Sequence, residues 1–94
     1  MRRLQAQRIV WFLNELFDRT LMLTGDGRET AIAIAEQIGL VEGSVSVRSG
    51  SLSGDDLDRM NDNDLGLVVN AVSVYYRVSP RHKVRIVRAL QVLL

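Results

Sequence analysis

Thr20-Leu21-Met22-Leu23-Thr24-Gly25-Asp26-Gly27 runs straight into Arg28-Glu29-Thr30-Ala31, and this junction decides the fold class. Leu21-Met22-Leu23 is a short apolar run stopped by a Gly-rich turn, which suits a buried strand. Ala31, Ile34, Ala35 and Ile38 then stand at i, i+3, i+4 and i+7, the spacing of one helix face. Gly39 sits where a left-handed C-cap would end that helix. Strand, tight turn and helix in this order make the first half of a βαβ unit.

Downstream, Val45 and Val47 alternate with Ser44, Ser46 and Arg48, which predicts a short exposed strand over 44–48, and 49–54 reads as a Ser/Gly loop. Ser53 is expected to cap an acidic helix reaching Met60, with Asp55 and Asp56 in the first turn where the helix dipole favours them. A further helix over 62–69, weakened by Gly66, would carry Leu65, Val68 and Val69 inward. Residues 72–76 form a second β-rich run, and Ser79-Pro80 supplies an N-cap and a first-turn proline for a final helix to Leu90 or beyond. Upstream, Ile9, Leu13, Leu16 and Phe17 are spaced three or four apart, so 4–17 reads as an amphipathic helix made more apolar by Trp11 and Phe12. The order α, β, α, β, α, α, β, α predicts an α/β domain with a parallel sheet flanked by helices.

Ninety-four residues, 47% hydrophobic and 24% charged with a formal net charge of +1, describe one globular domain or a piece of one. A chain this short buries only a little over ~60% of its unfolded surface, so its core is modest. The absence of cysteine excludes a disulfide scaffold, a thiol nucleophile and thiolate zinc sites. His82 is the single histidine, so no metal site is expected, and its place is expected at the surface. The longest apolar run, Ile9 to Leu13, falls far short of the ~20 residues that span a bilayer, and Met1-Arg2-Arg3 is followed by Gln5, Gln7 and Arg8 rather than a signal-peptide core. The chain itself is not expected to cross a membrane. Near-neutral charge and just two Tyr argue against a nucleic-acid partner.

In open parallel sheets, functional groups gather at the carboxyl ends of the strands. Two candidates fall there. In Thr24-Gly25-Asp26-Gly27 the glycines would let the backbone approach an anion, the next helix offers unpaired N–H groups, and Thr24 would donate to a phosphoryl oxygen. Asp26 would repel that anion, leaving it to cap the helix or to bind a Mg2+ ion accompanying the phosphate. In Arg77-Val78-Ser79-Pro80-Arg81-His82-Lys83, the single lysine lies in the first turn of the last helix, where dipole and ammonium act together on an anion. Thr24 and Lys83 would hold a phosphate from two sides. The plainer alternatives stay open at this point: Asp26 as an N-cap between turn glycines, and Arg81, Arg85 and Arg88 as a solvated helix face.

Two stretches together resemble something specific. Met22-Leu23-Thr24-Gly25-Asp26, with Glu29-Thr30-Ala31-Ile32-Ala33-Ile34-Ala35 and Ile38-Gly39-Leu40, is similar to the phosphorylation-domain segment of P-type cation-transporting ATPases. So is Tyr76-Arg77-Val78-Ser79-Pro80-Arg81-His82-Lys83 with Ile86-Val87 and Ala89-Leu90-Gln91, and Ser53-Gly54-Asp55-Asp56-Leu57-Asp58 fits the segment between. The Tyr-Arg-x-Ser-Pro-Arg-His-Lys wording looks most like calcium pumps of the secretory-pathway calcium/manganese type. The resemblance covers about Met22 to Gln91 in order and spacing, which divides the chain into a divergent N-terminal helix, 1–20, and a partial phosphorylation domain, 21–94.

That resemblance implies a partial Rossmann-like sheet of the haloacid-dehalogenase type, in a pump where an aspartate accepts the γ-phosphoryl group of ATP. Thr24 and Lys83 match the catalytic pair that binds and neutralises the transferring group. Gly25 and Asp26 complete the first motif, and Arg77 matches an arginine associated with the nucleotide. ATP and Mg2+ are the implied cofactors. The implied partners are the rest of the pump and its cargo, Ca2+ or Mn2+. The implied location is a membrane, such as that of the Golgi or secretory pathway, with this segment on the cytoplasmic side. Neither the nucleophile-bearing Asp-Lys-Thr-Gly-Thr nor the Mg2+-holding Gly-Asp-Gly-Val-Asn-Asp occurs in these residues, so the isolated chain is expected to be inactive. Two rival readings are a regulatory or interaction module docking through a Trp11/Phe12 helix, and a free-standing phosphate-binding domain.

Overall fold

Leu21–Thr24 is a strand with every residue buried, as its apolar run predicts. It is the second of four in the computed structural model, which describes residues 10–13, 20–40, 50–69 and 71–92. Among the described residues the strands are β1 (Val10–Leu13), β2 (Leu21–Thr24), β3 (Ser51–Ser53) and β4 (Val74–Tyr76), and the sheet order is β1-β2-β4-β3. The helices are α1 (Arg28–Gln37), α2 (Gly54–Arg59), α3 (Asp62–Val68) and α4 (Pro80–Val92). β4 runs parallel to both neighbours, with Met22 and Leu23 facing Val74 and Tyr75 on one side and Ser51, Leu52 and Ser53 facing Val74, Tyr75 and Tyr76 on the other. Helical crossovers join these strands, as a parallel arrangement requires. The chain is therefore an α/β domain.

The sheet is mixed, however, not wholly parallel. Val10–Leu13, expected inside a helix, is a strand antiparallel to β2, with Trp11 opposite Leu23 and Val10 opposite Thr24. A short apolar run fits helical and strand spacing alike, and pairing decides between them. Trp11 packs with the core on one face of the sheet and Val10 with that on the other, the period of two that a strand demands. The remainder of the expected helix and the strand expected over 44–48 lie outside the described residues. Ser51–Ser53, expected in a loop, is likewise a strand. Gly50 just before it accepts the N–H groups of Ser73 (3.2 Å) and Val74 (2.9 Å), and Leu52 packs on the core, so tertiary pairing overrides a weak propensity.

Alternation along β2 divides the core. Leu21 and Leu23 join Leu57, Leu65, Tyr75 and Ile86 under α2, α3 and α4, whereas Met22 and Val74 meet Ala31 and Ala35 of α1 on the opposite face. Each fully buried Leu or Ile in this set contributes about 2 kcal/mol. α1 ends as its sequence predicts: Gly39 takes φ +77°, its N–H donates to Glu36, and that of Leu40 donates to Ala35. Ser53 caps α2 in a reciprocal box with Asp56, both bonds 3.0 Å, and Asn61 caps α3. Arg85 does not belong to a solvated face. Its guanidinium donates to the carbonyls of Leu57 (2.6 Å) and Met60 (3.0 Å), closing the end of α2. No helix among the described residues is long and apolar enough to cross a membrane.

Candidate functional site

β2 and β4 are neighbours, so the two sequence-predicted stretches meet at their carboxyl ends. The Thr24 side chain is fully buried; its hydroxyl donates to Asp26 Oδ2 (3.2 Å) and accepts the Asp26 N–H (3.1 Å). Asp26 thus folds back on Thr24 instead of capping α1. The N-cap is Gly27, with no side-chain bond. Across the junction, Val78 donates its N–H to the Thr24 carbonyl (3.1 Å) and Arg77 donates its own to the Asp26 carbonyl (2.9 Å).

Arg77 makes this junction at φ +50°, a conformation that costs an L residue on the order of 1–2 kcal/mol. Its guanidinium lies against Gly27, where an added Cβ would stand 3.4 Å from Nη2. Exposed and beside the N-terminus of α1, Arg77 adds positive charge where an anion would approach. Lys83 lies in the first turn of α4. Its ammonium sits 5.2 Å from the centroid of the Trp11 ring, a cation–π contact, and forms no ion pair or hydrogen bond among the described residues. The two motif stretches are thus joined by backbone hydrogen bonds, and the lysine head is turned toward β1. Nor do the described residues gather three or more His, Asp or Glu side chains that could hold a metal ion.

Sequence reading missed Asp58 and placed His82 wrongly. His82 is 4% exposed, not on the surface. Its Nδ1 accepts the backbone N–H of Ser79 (2.9 Å), with the Ser79 hydroxyl at 3.1 Å. The proton of the neutral ring therefore resides on Nε2, which donates to Asp58 Oδ1 (2.9 Å). The Ser-x-x-His spacing, an N-cap followed by an acceptor three residues on, was the available signal for half of this arrangement. The order Ser79, His82, Asp58 superficially matches a nucleophile triad. Here, though, the ring lone pair is engaged by a backbone N–H that orders the start of α4, so it serves structure rather than deprotonation of Ser79.

Asp58 also accepts both terminal nitrogens of Arg81, at 2.8 and 3.1 Å. The Arg81 guanidinium, and after it the His82 ring N–H, hold the Asp58 carboxyl down from 3.8 to about 2. Because the folded value is the lower one, the carboxylate's contribution to stability is present above its ordinary value and is lost as pH falls through about 2. Denaturant midpoints of the wild type and Asp58→Asn are expected to differ by a constant amount above about pH 4. The gap should close as pH approaches 2; a gap that persists there would show that ionisation of Asp58 is not its source.

No family model matches the chain. Among curated proteins it is 49% identical over 70 residues to calcium-transporting ATPase type 2C member 1 of Pongo abelii, covering 74% of this chain and 7% of that protein. Calcium-transporting ATPase type 2C member 2 of Homo sapiens is 38% identical over 89 residues, 95% of this chain and 9% of that one. Calcium-transporting ATPase 1 of Saccharomyces cerevisiae is 45% identical over 73 residues, 76% and 7% respectively. The chain thus spans less than a tenth of the length of these relatives.

Proposed function

The chain belongs, as a short segment, to the P-type calcium-transporting ATPase family, and from that membership we infer that it is part of the phosphorylation domain of such a pump. The observation that carries this reading is the hydrogen-bonded junction of the two motif stretches, Val78 to Thr24 and Arg77 to Asp26. In a haloacid-dehalogenase-type sheet these strand ends would face the phosphoryl group of ATP. Thr24 would donate its hydroxyl, Gly25 and Asp26 would shape the turn, Arg77 would meet the nucleotide, and Lys83 would swing from Trp11 to neutralise transferring charge. This is catalysis by positioned donors and cations.

ATP supplies the phosphoryl group in this reading. The Mg2+ that accompanies it is not held by these residues alone, since Asp26 is the one carboxylate in the turn and already accepts from Thr24. Its further ligands belong to the rest of the pump. The parent protein would couple ATP hydrolysis to movement of Ca2+, and of Mn2+ in a secretory-pathway pump, across a Golgi-type membrane, with this segment on the cytoplasmic side. The rival module docking through a Trp11/Phe12 helix loses its premise, because both residues lie in β1.

The experiment has two arms. Incubated with labelled ATP and Mg2+, the isolated chain should form no hydroxylamine-sensitive phosphoprotein; appearance of one would overturn its predicted inactivity. Substituted for the 73 matched residues of the yeast relative, the same sequence should preserve phosphoenzyme formation. A chimera that folds and reaches the membrane yet cannot be phosphorylated would sink the assignment.

A further inference from the structure

We propose that Asp58 and His82 form a positioning pair that holds the segment from Arg77 to Lys83 against the turn after β2, fixing Thr24 and the start of α4 in one relative geometry. Its purpose rests on the phosphoryl-handling function proposed above. The links run in series. Asp58 on α2 accepts from His82 Nε2 at 2.9 Å, His82 Nδ1 accepts the Ser79 N–H at 2.9 Å, and one residue earlier Val78 donates to the Thr24 carbonyl at 3.1 Å.

Arg77, at φ +50°, does not adopt its shape by local preference, so contacts on both sides must impose it. On one side stand the carbonyls of Thr24 and Asp26. On the other stand Gly54 and His82, packed so closely that a Cβ at Gly54 would strike the Arg77 carbonyl oxygen and come within 2.9 Å of His82 Cε1. His82 is thus both a wall behind the segment and its hydrogen-bonded anchor. Of the two partners of Asp58, His82 is the one that matters. The Arg81 side chain is 67% exposed and returns to water when the pair is broken, whereas the buried His82 N–H would be left without an acceptor.

Amide exchange on the 94-residue chain tests the tether directly. In Asp58→Ala the Arg77 and Val78 amides should exchange about tenfold faster than in wild type, while the Ala35 amide in α1 keeps its rate. Asp58→Asn keeps an acceptor for His82 and should restore slow exchange; Arg81→Ala should leave it unaltered. Unchanged Arg77 and Val78 amides, acceleration spread equally to Ala35, or failure of Asn to restore would each refute the pair. In the yeast chimera, Asp58→Ala should lower kcat about tenfold with the KM for ATP retained, and Asp58→Asn should recover it. Loosened amides with unchanged kcat would remove the role in phosphoryl transfer. A wild-type chimera that forms no phosphoenzyme would count against the proposed function, and the exchange rates would still decide the tether.

Discussion

Replacing Lys83 with Ala in the yeast chimera should cut phosphoenzyme formation on the order of a hundredfold to a thousandfold, the loss typical of removing one positioned donor from a site where charge develops. The ammonium is occupied in this structure, at 5.2 Å from the Trp11 ring, so the size of that contact matters. A cation–π contact of this exposure is worth about 0.5–1 kcal/mol. The donor's effect on a developing charge is about 3–4 kcal/mol, so Trp11 can hold the lysine at rest without preventing its transfer to a phosphoryl group. Lys83→Arg should not restore the rate, because a planar guanidinium does not reproduce the compact charge of an ammonium. Should Lys83→Ala leave phosphorylation within about tenfold of wild type, the lysine's proposed role would fail.

What could be seen beforehand follows the range of the interaction that forms each element. α1, its Gly39 terminus, the Ser53 cap and the proline-started α4 obey rules that act within one turn, and these were legible. β1 and β3 are made by partners distant in sequence, Leu23 for Trp11 and Tyr75 for Leu52. A four-residue apolar run and a Ser-Leu-Ser tripeptide carry too little pattern to declare such pairings. The antiparallel edge was hidden for the same reason.

The meeting of Thr24 and Asp26 with Arg77 at neighbouring strand ends was legible, because parallel neighbours present their carboxyl ends together. His82 and Asp58, 24 positions apart, were not: a lone histidine has no period, and Asp58 looked like one acid among several. Where the head of Lys83 rests was equally illegible, since that depends on a strand whose existence was not foreseen.

Gly54 and Gly66 should respond to the same substitution with opposite signs. Gly54 opens α2 at a point where the segment after β4 passes within atomic contact, and a methyl group there must displace the Arg77 carbonyl, backbone held by its own bond to Asp26. Nearby His82 Cε1, at 2.9 Å, belongs to a ring fixed at both nitrogens, so neither neighbour yields cheaply. Gly54→Ala is therefore expected to cost about 3 kcal/mol, the upper end of ordinary overpacking. For a domain of this size that is a fall in Tm of roughly 10–20 °C, out of a total stability of only about 5–10 kcal/mol. Gly66 lies inside α3 with nothing within 4 Å of an added Cβ, so alanine there meets no obstacle and restricts the unfolded chain. Gly66→Ala should raise stability by about 0.5–1 kcal/mol. Denaturant midpoints of the two variants, measured against wild type under one buffer, decide the matter. A neutral or stabilising Gly54→Ala would mean that α2 and the Arg77 carbonyl are not packed as described, and the positioning of the whole strand-end junction would fall with it.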